Sequence, residues 1–192
     1  MAKINGTAGN DHIAGTNKKD TTHGLGGDDI IFGGQGNDTL YGDEGNDILH
    51  GGTGDDILIG GDGDDVLIGT WGADTLTGGA GADTFKIDDG FWVPLNDGWN
   101  WSPNRDGERD TITDFESGVD KVDFSGDQLL KYIDTNGDGI SEVYSITWAD
   151  VEVLTLDVGE YRVVVHQIAG DPQWDLGIDV LGTMPVETDF IF

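Results

Sequence analysis

Apolar residues recur every nine positions along the first part of this chain. Ile4, Ile13, Thr22, Ile31, Leu40, Leu49, Leu58, Leu67, Leu76 and Phe85 form one ladder, with Thr22 its only polar rung. Each sits in a three-residue stretch x-U-x, which predicts a short strand turning U inward, because side chains alternate across a strand. Between the strands the chain reads G-x-x-G-x-D, glycine-rich where the backbone must bend sharply. Gly33-Gly34-Gln35-Gly36-Asn37-Asp38-Thr39-Leu40-Tyr41 is a clean copy of the nine-residue unit, and nine units run without a gap from Gly6 to Lys86. Two units make one coil, and coils stack at about 4.8 Å, so the segment predicts about four and a half coils, roughly 20 Å tall. Its interior is a single row of Leu and Ile. Burial of that row alone is too little to offset the ordering of so many glycines.

A second ladder supplies what the core lacks. Asp11, Asp20, Asp29, Asp38, Asp47, Asp56, Asp65, Asp74 and Asp83 occupy the sixth position of every unit. One carboxylate among turn carbonyls is an all-oxygen, hard-ligand set that suits Ca²⁺ and its six to eight flexible ligands. Turns on one edge belong to alternate units, so each ion would lie between two stacked turns, and nine units allow up to about seven ions. From Gly6 to Lys86 there are fifteen acidic residues against three lysines, a net charge of −12. Divalent ions nearly cancel that charge, and without them the aspartates repel one another. The strict period and the apolar ladder argue against a disordered acidic linker. The second unit is degenerate: Lys18 stands where glycine belongs and Thr22 enters the core, which leaves Asp20 in question.

These in-register units resemble the RTX, or hemolysin-type, calcium-binding repeat. The resemblance implies an all-β fold, a right-handed parallel β-roll with calcium in its turns. It also implies that carbonyls at alternating turn positions complete each site beside the sixth-position aspartate. On this sequence that adds Gly27 and Asp28, Gly36 and Asn37, Gly45 and Asn46, Gly54 and Asp55, Gly63 and Asp64, Gly72 and Gly81. RTX proteins leave the cell through a type I secretion channel by an uncleaved C-terminal signal. The ending Glu187-Thr188-Asp189-Phe190-Ile191-Phe192, acid followed by bulky apolar residues, looks like such a signal, and reads equally as a last strand.

The composition fits an exported, extracellular protein. There is no cysteine, so neither a disulfide framework nor a thiolate metal site is available. A formal charge of −29 and a pI near 4.1 argue against nucleic acid or an anionic membrane as partner. No stretch approaches the ~20 apolar residues of a membrane span. Met1-Ala2-Lys3-Ile4-Asn5-Gly6 runs straight into the repeat, so no cleavable signal peptide is expected. The chain is expected to be a monomer.

Beyond Lys86 the rhythm changes, dividing the chain into a roll over 1–86 and a C-terminal region over 87–192. Asp88 to Asp110 is irregular and aromatic-rich, with Trp92, Trp99 and Trp101. Asp110-Thr111-Ile112-Thr113-Asp114-Phe115 and Gly118-Val119-Asp120-Lys121-Val122-Asp123-Phe124-Ser125 are similar to segments that follow the repeats in serralysin-type proteases and in mannuronan epimerase R-modules. Glu142 to Trp148, Val151 to Leu156 and Tyr161 to Ile168 alternate as strands do. The region reads as an antiparallel β-cap, since a repeat array needs its open end closed. Outward positions Ile30, Phe32, Ile48, Val66 and Ile68 form an apolar face that this region is expected to cover.

Asp134-Thr135-Asn136-Gly137-Asp138-Gly139 opens like an EF-hand loop, but Ser145 stands where the closing glutamate belongs. It is either a hairpin turn or a turn that also binds calcium through Asp134, Asn136 and Asp138. No H-E-x-x-H, G-x-S-x-G or cysteine nucleophile is present, and His12, His23, His50 and His166 lack paired spacing. No enzyme is expected. The function expected is a secreted calcium-binding module that folds on meeting extracellular Ca²⁺. The alternative is a polysaccharide-binding module of the R-module kind, with Trp92, Trp99 and Trp101 as a stacking platform rather than as anchors of the loop.

Overall fold

A computed structural model describes residues 1–86, 110–123, 130–133, 142–145, 151–157, 160–165 and 176–191. Ten strands follow the nine-residue rhythm: β1 (Lys3–Asn5), β2 (His12–Ala14), β3 (Thr21–Gly26), β4 (Ile30–Gln35), β5 (Thr39–Glu44), β6 (Ile48–Thr53), β7 (Ile57–Asp62), β8 (Val66–Trp71), β9 (Thr75–Ala80) and β10 (Thr84–Lys86). Odd-numbered strands pair in parallel in one sheet and even-numbered strands in the other, making a β-solenoid of five coils. The step is two units, so Leu40 lies opposite Leu58 and Leu49 opposite Leu67. From β3 to β9 the strands are six residues long and continue into the first three turn positions, where Gly34 pairs with Gly52. The reason is close approach: a Cβ on Gly52 would collide with the Gly34 carbonyl, and only glycine lets successive turns stack that tightly.

The inward ladder forms the core. Ile31, Leu40, Leu49, Leu58, Leu67, Leu76 and Phe85 are fully buried. Each such side chain contributes about 1.5–3 kcal/mol by leaving water. Thr22 is buried among them, and its hydroxyl has no hydrogen-bond partner.

Eight further strands are β11 (Thr111–Phe115), β12 (Lys121–Asp123), β13 (Leu130–Ile133), β14 (Glu142–Ser145), β15 (Val151–Asp157), β16 (Glu160–Val165), β17 (Leu176–Gly182) and β18 (Phe190–Ile191). The parallel stacking runs on past Lys86. Strand β11 adds to β9 with Ile112 opposite Leu76, and β12 adds to β10 with Val122 opposite Phe85. Then β17 adds to β11, Val180 opposite Ile112, and β18 adds to β12, Phe190 opposite Val122. Ile112, Phe115, Val122, Val180 and Phe190 thereby extend the same core. Among the described residues antiparallel pairing is confined to β15–β16–β17 and the hairpin β13–β14. The antiparallel cap expected over 87–192 gives way to parallel stacking at β11, β12 and β18, because Ile112 and Val122 still stand two residues after an aspartate, as the repeat's inward residues do.

Strands β11, β12 and β15 to β18 extend the two sheets at their edges, and β13–β14 form a separate two-stranded sheet. Phe32 is 46% exposed and Ile48 39%, so the expected cover is not found among the described residues.

Candidate metal centre

Each aspartate of the ladder ends a turn, just before a strand, and the strand pairing two residues on fixes its place. The eight from Asp20 to Asp83 are at most 1% exposed, while Asp11 in the first coil is half-buried. Every buried one from Asp29 on spends Oδ1 in the same way, accepting the backbone N–H of the aspartate one coil back. On one edge Asp29, Asp47, Asp65 and Asp83 accept from Asp11, Asp29, Asp47 and Asp65 at 2.7–3.0 Å. On the other, Asp38, Asp56 and Asp74 accept from Asp20, Asp38 and Asp56 at 2.7–2.8 Å.

The second oxygen is the informative one. Oδ2 of Asp29, Asp38, Asp47, Asp56, Asp65 and Asp74 is buried without a hydrogen-bond partner. An unpaired buried carboxylate oxygen is costly unless a cation or donor meets it. The first glycine of each turn keeps space open beside it. A Cβ on Gly33 would lie 2.8 Å from Oδ2 of Asp38 and 2.6 Å from the Gly51 carbonyl oxygen, and one on Gly51 would lie 2.5 Å from Oδ2 of Asp56 and 2.8 Å from the Gly69 carbonyl oxygen. Carboxylate and carbonyl oxygens converge there and Oδ2 has no hydrogen-bond donor, which fits a hard cation such as Ca²⁺. Among the described residues no three carboxylates or imidazoles gather at one point, as expected where carbonyls supply most of the ligands.

The electrostatics agree. Burial pushes the carboxyl groups of Asp56 and Asp65 up to about 7 and those of Asp74 and Asp83 to about 6, with neighbouring aspartates adding repulsion at all four. Asp29, Asp38 and Asp47 are raised for the same first reason. For Asp56 this disfavours the charged form at neutral pH. A bound cation reverses that bias. Asp20 behaves oppositely: the Thr16 hydroxyl and the Ala2 N–H hold it below its ordinary value.

The fifth-position residues, expected to lend carbonyls to the metal, carry side chains that form a different ladder, running the other way. Oδ1 of Asp28 accepts from the Asn46 N–H at 3.0 Å, Oδ1 of Asn46 from the Asp64 N–H at 2.8 Å, and Oδ1 of Asp64 from the Ala82 N–H at 2.8 Å. On the opposite edge Asp55 accepts from the Ala73 N–H at 3.2 Å and from Asn37 Nδ2 at 3.3 Å. The fourth-position glycines Gly27, Gly36, Gly45, Gly54, Gly63, Gly72 and Gly81 line the same turns, all with positive φ. Asp134, Asn136, Asp138, Trp92, Trp99, Trp101 and His166 lie outside the described residues. Of the other histidines, His23 stacks on Tyr41 and sits 3.0 Å from Asp43, and His50 tilts against Phe32.

Three aspartates beyond the repeats, Asp110, Asp120 and Asp189, extend or close the ladder. Asp110 accepts the Asp74 N–H at 2.9 Å and Asp120 the Asp83 N–H at 3.1 Å. The signal is D-x-U in Asp110-Thr111-Ile112 and Asp120-Lys121-Val122, with only Gly118 kept of the two turn glycines before Asp120. Asp189 is fully buried and accepts from Ser117 Oγ at 2.6 Å, Gly118 N–H at 3.0 Å and Val186 N–H at 2.9 Å, with Lys121 Nζ at 3.8 Å. Burial opposes its charge, but these donors and Lys121 together hold its carboxyl below the ordinary value.

A parallel solenoid with one buried, half-satisfied carboxylate per turn, set among carbonyls, is a calcium-binding β-roll. The model of the RTX calcium-binding nonapeptide repeat matches in four copies, over residues 3–31, 15–49, 23–58 and 50–85. The chain is also similar to the solution structure of the AlgE6R3 subunit from the Azotobacter vinelandii mannuronan C5-epimerase, at 25% identity and a TM-score of 0.43, covering 97% of this chain and 80% of that one. No curated protein matches. Among the described residues no helix is long and apolar enough to cross a membrane.

Proposed function

We propose that this chain is a non-catalytic calcium-binding module, exported unfolded through a type I channel and folded outside the cell by Ca²⁺. Residues 1–86 form the ion-binding roll, and 87–192 complete it and end in the export signal. The observation that carries the proposal is the row of six buried, unpartnered Oδ2 atoms. Asp29, Asp38, Asp47, Asp56, Asp65, Asp74 and Asp83 supply the carboxylates, with carbonyls of the glycine turns as co-ligands, for up to about seven ions. The ions would neutralise the ladder and take the place of the missing donors. Because such a site does not exist in the unfolded chain, binding free energy becomes folding free energy. Extracellular modules of this type bind at about 10⁻⁴ to 10⁻³ M, above cytosolic calcium, which keeps the chain unfolded until it is outside.

Isothermal titration at neutral pH tests the assignment. Saturable binding of calcium in that concentration range, several ions per chain, is expected, with magnesium a poor substitute because it demands a rigid octahedron and holds its waters. Equal binding of both ions, or of neither, contradicts it. For export, deletion of Asp189 to Phe192 should leave the chain inside cells that carry a type I exporter; unchanged release makes the tail a strand only.

A further inference from the structure

Three turns of the solenoid depart from the cation pattern, and they depart in the same way. In the first, Oδ2 of Asp11 accepts the N–H of Thr7 at 2.6 Å and its hydroxyl at 2.8 Å. In the second, Oδ2 of Asp20 accepts the N–H of Thr16 at 2.8 Å and its hydroxyl at 2.6 Å. In the turn after β11, Oδ2 of Asp120 accepts the N–H of Glu116 at 2.7 Å. The donor always stands four residues before the aspartate, at the second position of its turn. It fills the place that stays unpartnered at Asp29, Asp38, Asp47, Asp56, Asp65 and Asp74.

The backbone accounts for the split. In the turns between, the second position takes a left-handed conformation, even where it is not glycine: φ is +82° at Leu25, +75° at Asp43 and +84° at Thr70. For a non-glycine residue that conformation costs roughly 1 kcal/mol or more. It also redirects the N–H, so that Leu25 donates to Asp43 and Gly79 to Asp114, each outside its own turn. Thr7, Thr16 and Glu116 are free of this strain and donate inward.

We propose that the solenoid contains two kinds of turn. Open turns, ending in Asp29, Asp38, Asp47, Asp56, Asp65 and Asp74, receive calcium at Oδ2. Closed turns, ending in Asp11, Asp20 and Asp120, hold an N–H, or an N–H and a hydroxyl, where the cation would be. The metal-binding stretch is thus bracketed on both sides by turns that need no metal. A calcium ion at Asp20 would have to displace two donors from one oxygen and face their hydrogens, which carry positive partial charge.

The inference rests on the calcium assignment above, and its test separates the two. Native mass spectrometry at saturating calcium counts the ions on folded wild type, Asp11→Asn, Asp20→Asn and Asp56→Asn. Expected is an unchanged count for Asp11→Asn and Asp20→Asn, and at least one ion fewer for Asp56→Asn. Loss from either of the first two variants equal to that from Asp56→Asn overturns the closed turns while leaving calcium binding in place. A wild type without bound calcium defeats the assignment itself. If Asp20→Asn does not fold, Asp11→Asn, at its half-exposed site, decides alone.

Discussion

Between Asp29 and Asp74 each turn is six residues long and glycine-rich, with an aspartate that gives one oxygen to a backbone N–H and leaves the other bare. Between Phe115 and Asp120 the chain makes a turn of the same length, Phe-Glu-Ser-Gly-Val-Asp, at the same place in the coil, yet both oxygens of Asp120 are taken. Asp189 goes further, with three donors within 3.0 Å and Lys121 beside it. The core differs in step: single Leu side chains fill the middle coils, whereas Phe85 and Phe115 pack ring against ring where the repeats end. The same backbone path is therefore supported in two ways, by metal where the turn lacks donors and by the protein's own donors and larger apolar groups where it has them. Stability of the first kind depends on the medium; that of the second does not.

The sharpest way to break this comparison is to remove the donor-satisfied carboxylate. Asp189→Ala leaves Ser117, Gly118 and Val186 without their acceptor and should cost about 2–4 kcal/mol. The loss should persist in saturating calcium, read as a lower thermal midpoint. An unchanged midpoint would mean that the C-terminal coil contributes nothing to the fold. Removing Asp189 and Phe190 together should likewise weaken calcium-dependent folding, because one is fully buried and the other 7% exposed in the core.

A change of pH separates the two regions next. Asp56 and Asp65 sit near 7 in the metal-free fold and near 3.8 when unperturbed. A carboxyl raised by folding stabilises the fold at low pH, and that contribution is lost as pH rises through its folded value. In chelator, moving from about pH 7.5 to about pH 5.5 should therefore recover strand signal, because protons neutralise the open turns. With calcium present the same change should raise the calcium midpoint roughly threefold or more, since the ligands must be deprotonated to bind. Asp189, held low, should not contribute over this range. A midpoint independent of pH would show that the buried aspartates are not the ligands.

The smallest effect concerns the flawed rung. Thr22→Val replaces a buried, unpartnered hydroxyl by a methyl group and should raise stability by about 1 kcal/mol, with the number of bound ions unchanged. A destabilised variant would show that the hydroxyl has a partner in solution.

Much of this arrangement is legible in the residues. The period of nine places Leu40, Leu49, Leu58 and Leu67 inward and an aspartate at every turn, because strict recurrence at one phase leaves few other ways to stack. What stays hidden is pairing that depends on backbone direction. Nothing in Thr7-Ala8-Gly9-Asn10-Asp11 announces that the threonine donates to the aspartate, since Thr70 occupies the same turn position with the opposite sign of φ. The continuation through Ile112 and Val122 is concealed because its turns dispense with most of the glycines and because a long aromatic insertion separates it from Lys86. Asp189 reads as part of a tail until the fold brings Ser117 and Gly118 to it, about seventy residues back in the chain.

The most direct test of the whole is far-ultraviolet circular dichroism of the purified chain at neutral pH, first with excess chelator and then with millimolar calcium. Six bare carboxylate oxygens and a core one side chain wide imply a largely unfolded spectrum in chelator and a strand-rich one on adding calcium, reversibly. A strand-rich spectrum already present in chelator and unchanged by calcium would contradict it, because the turns would then be holding their shape without the ion.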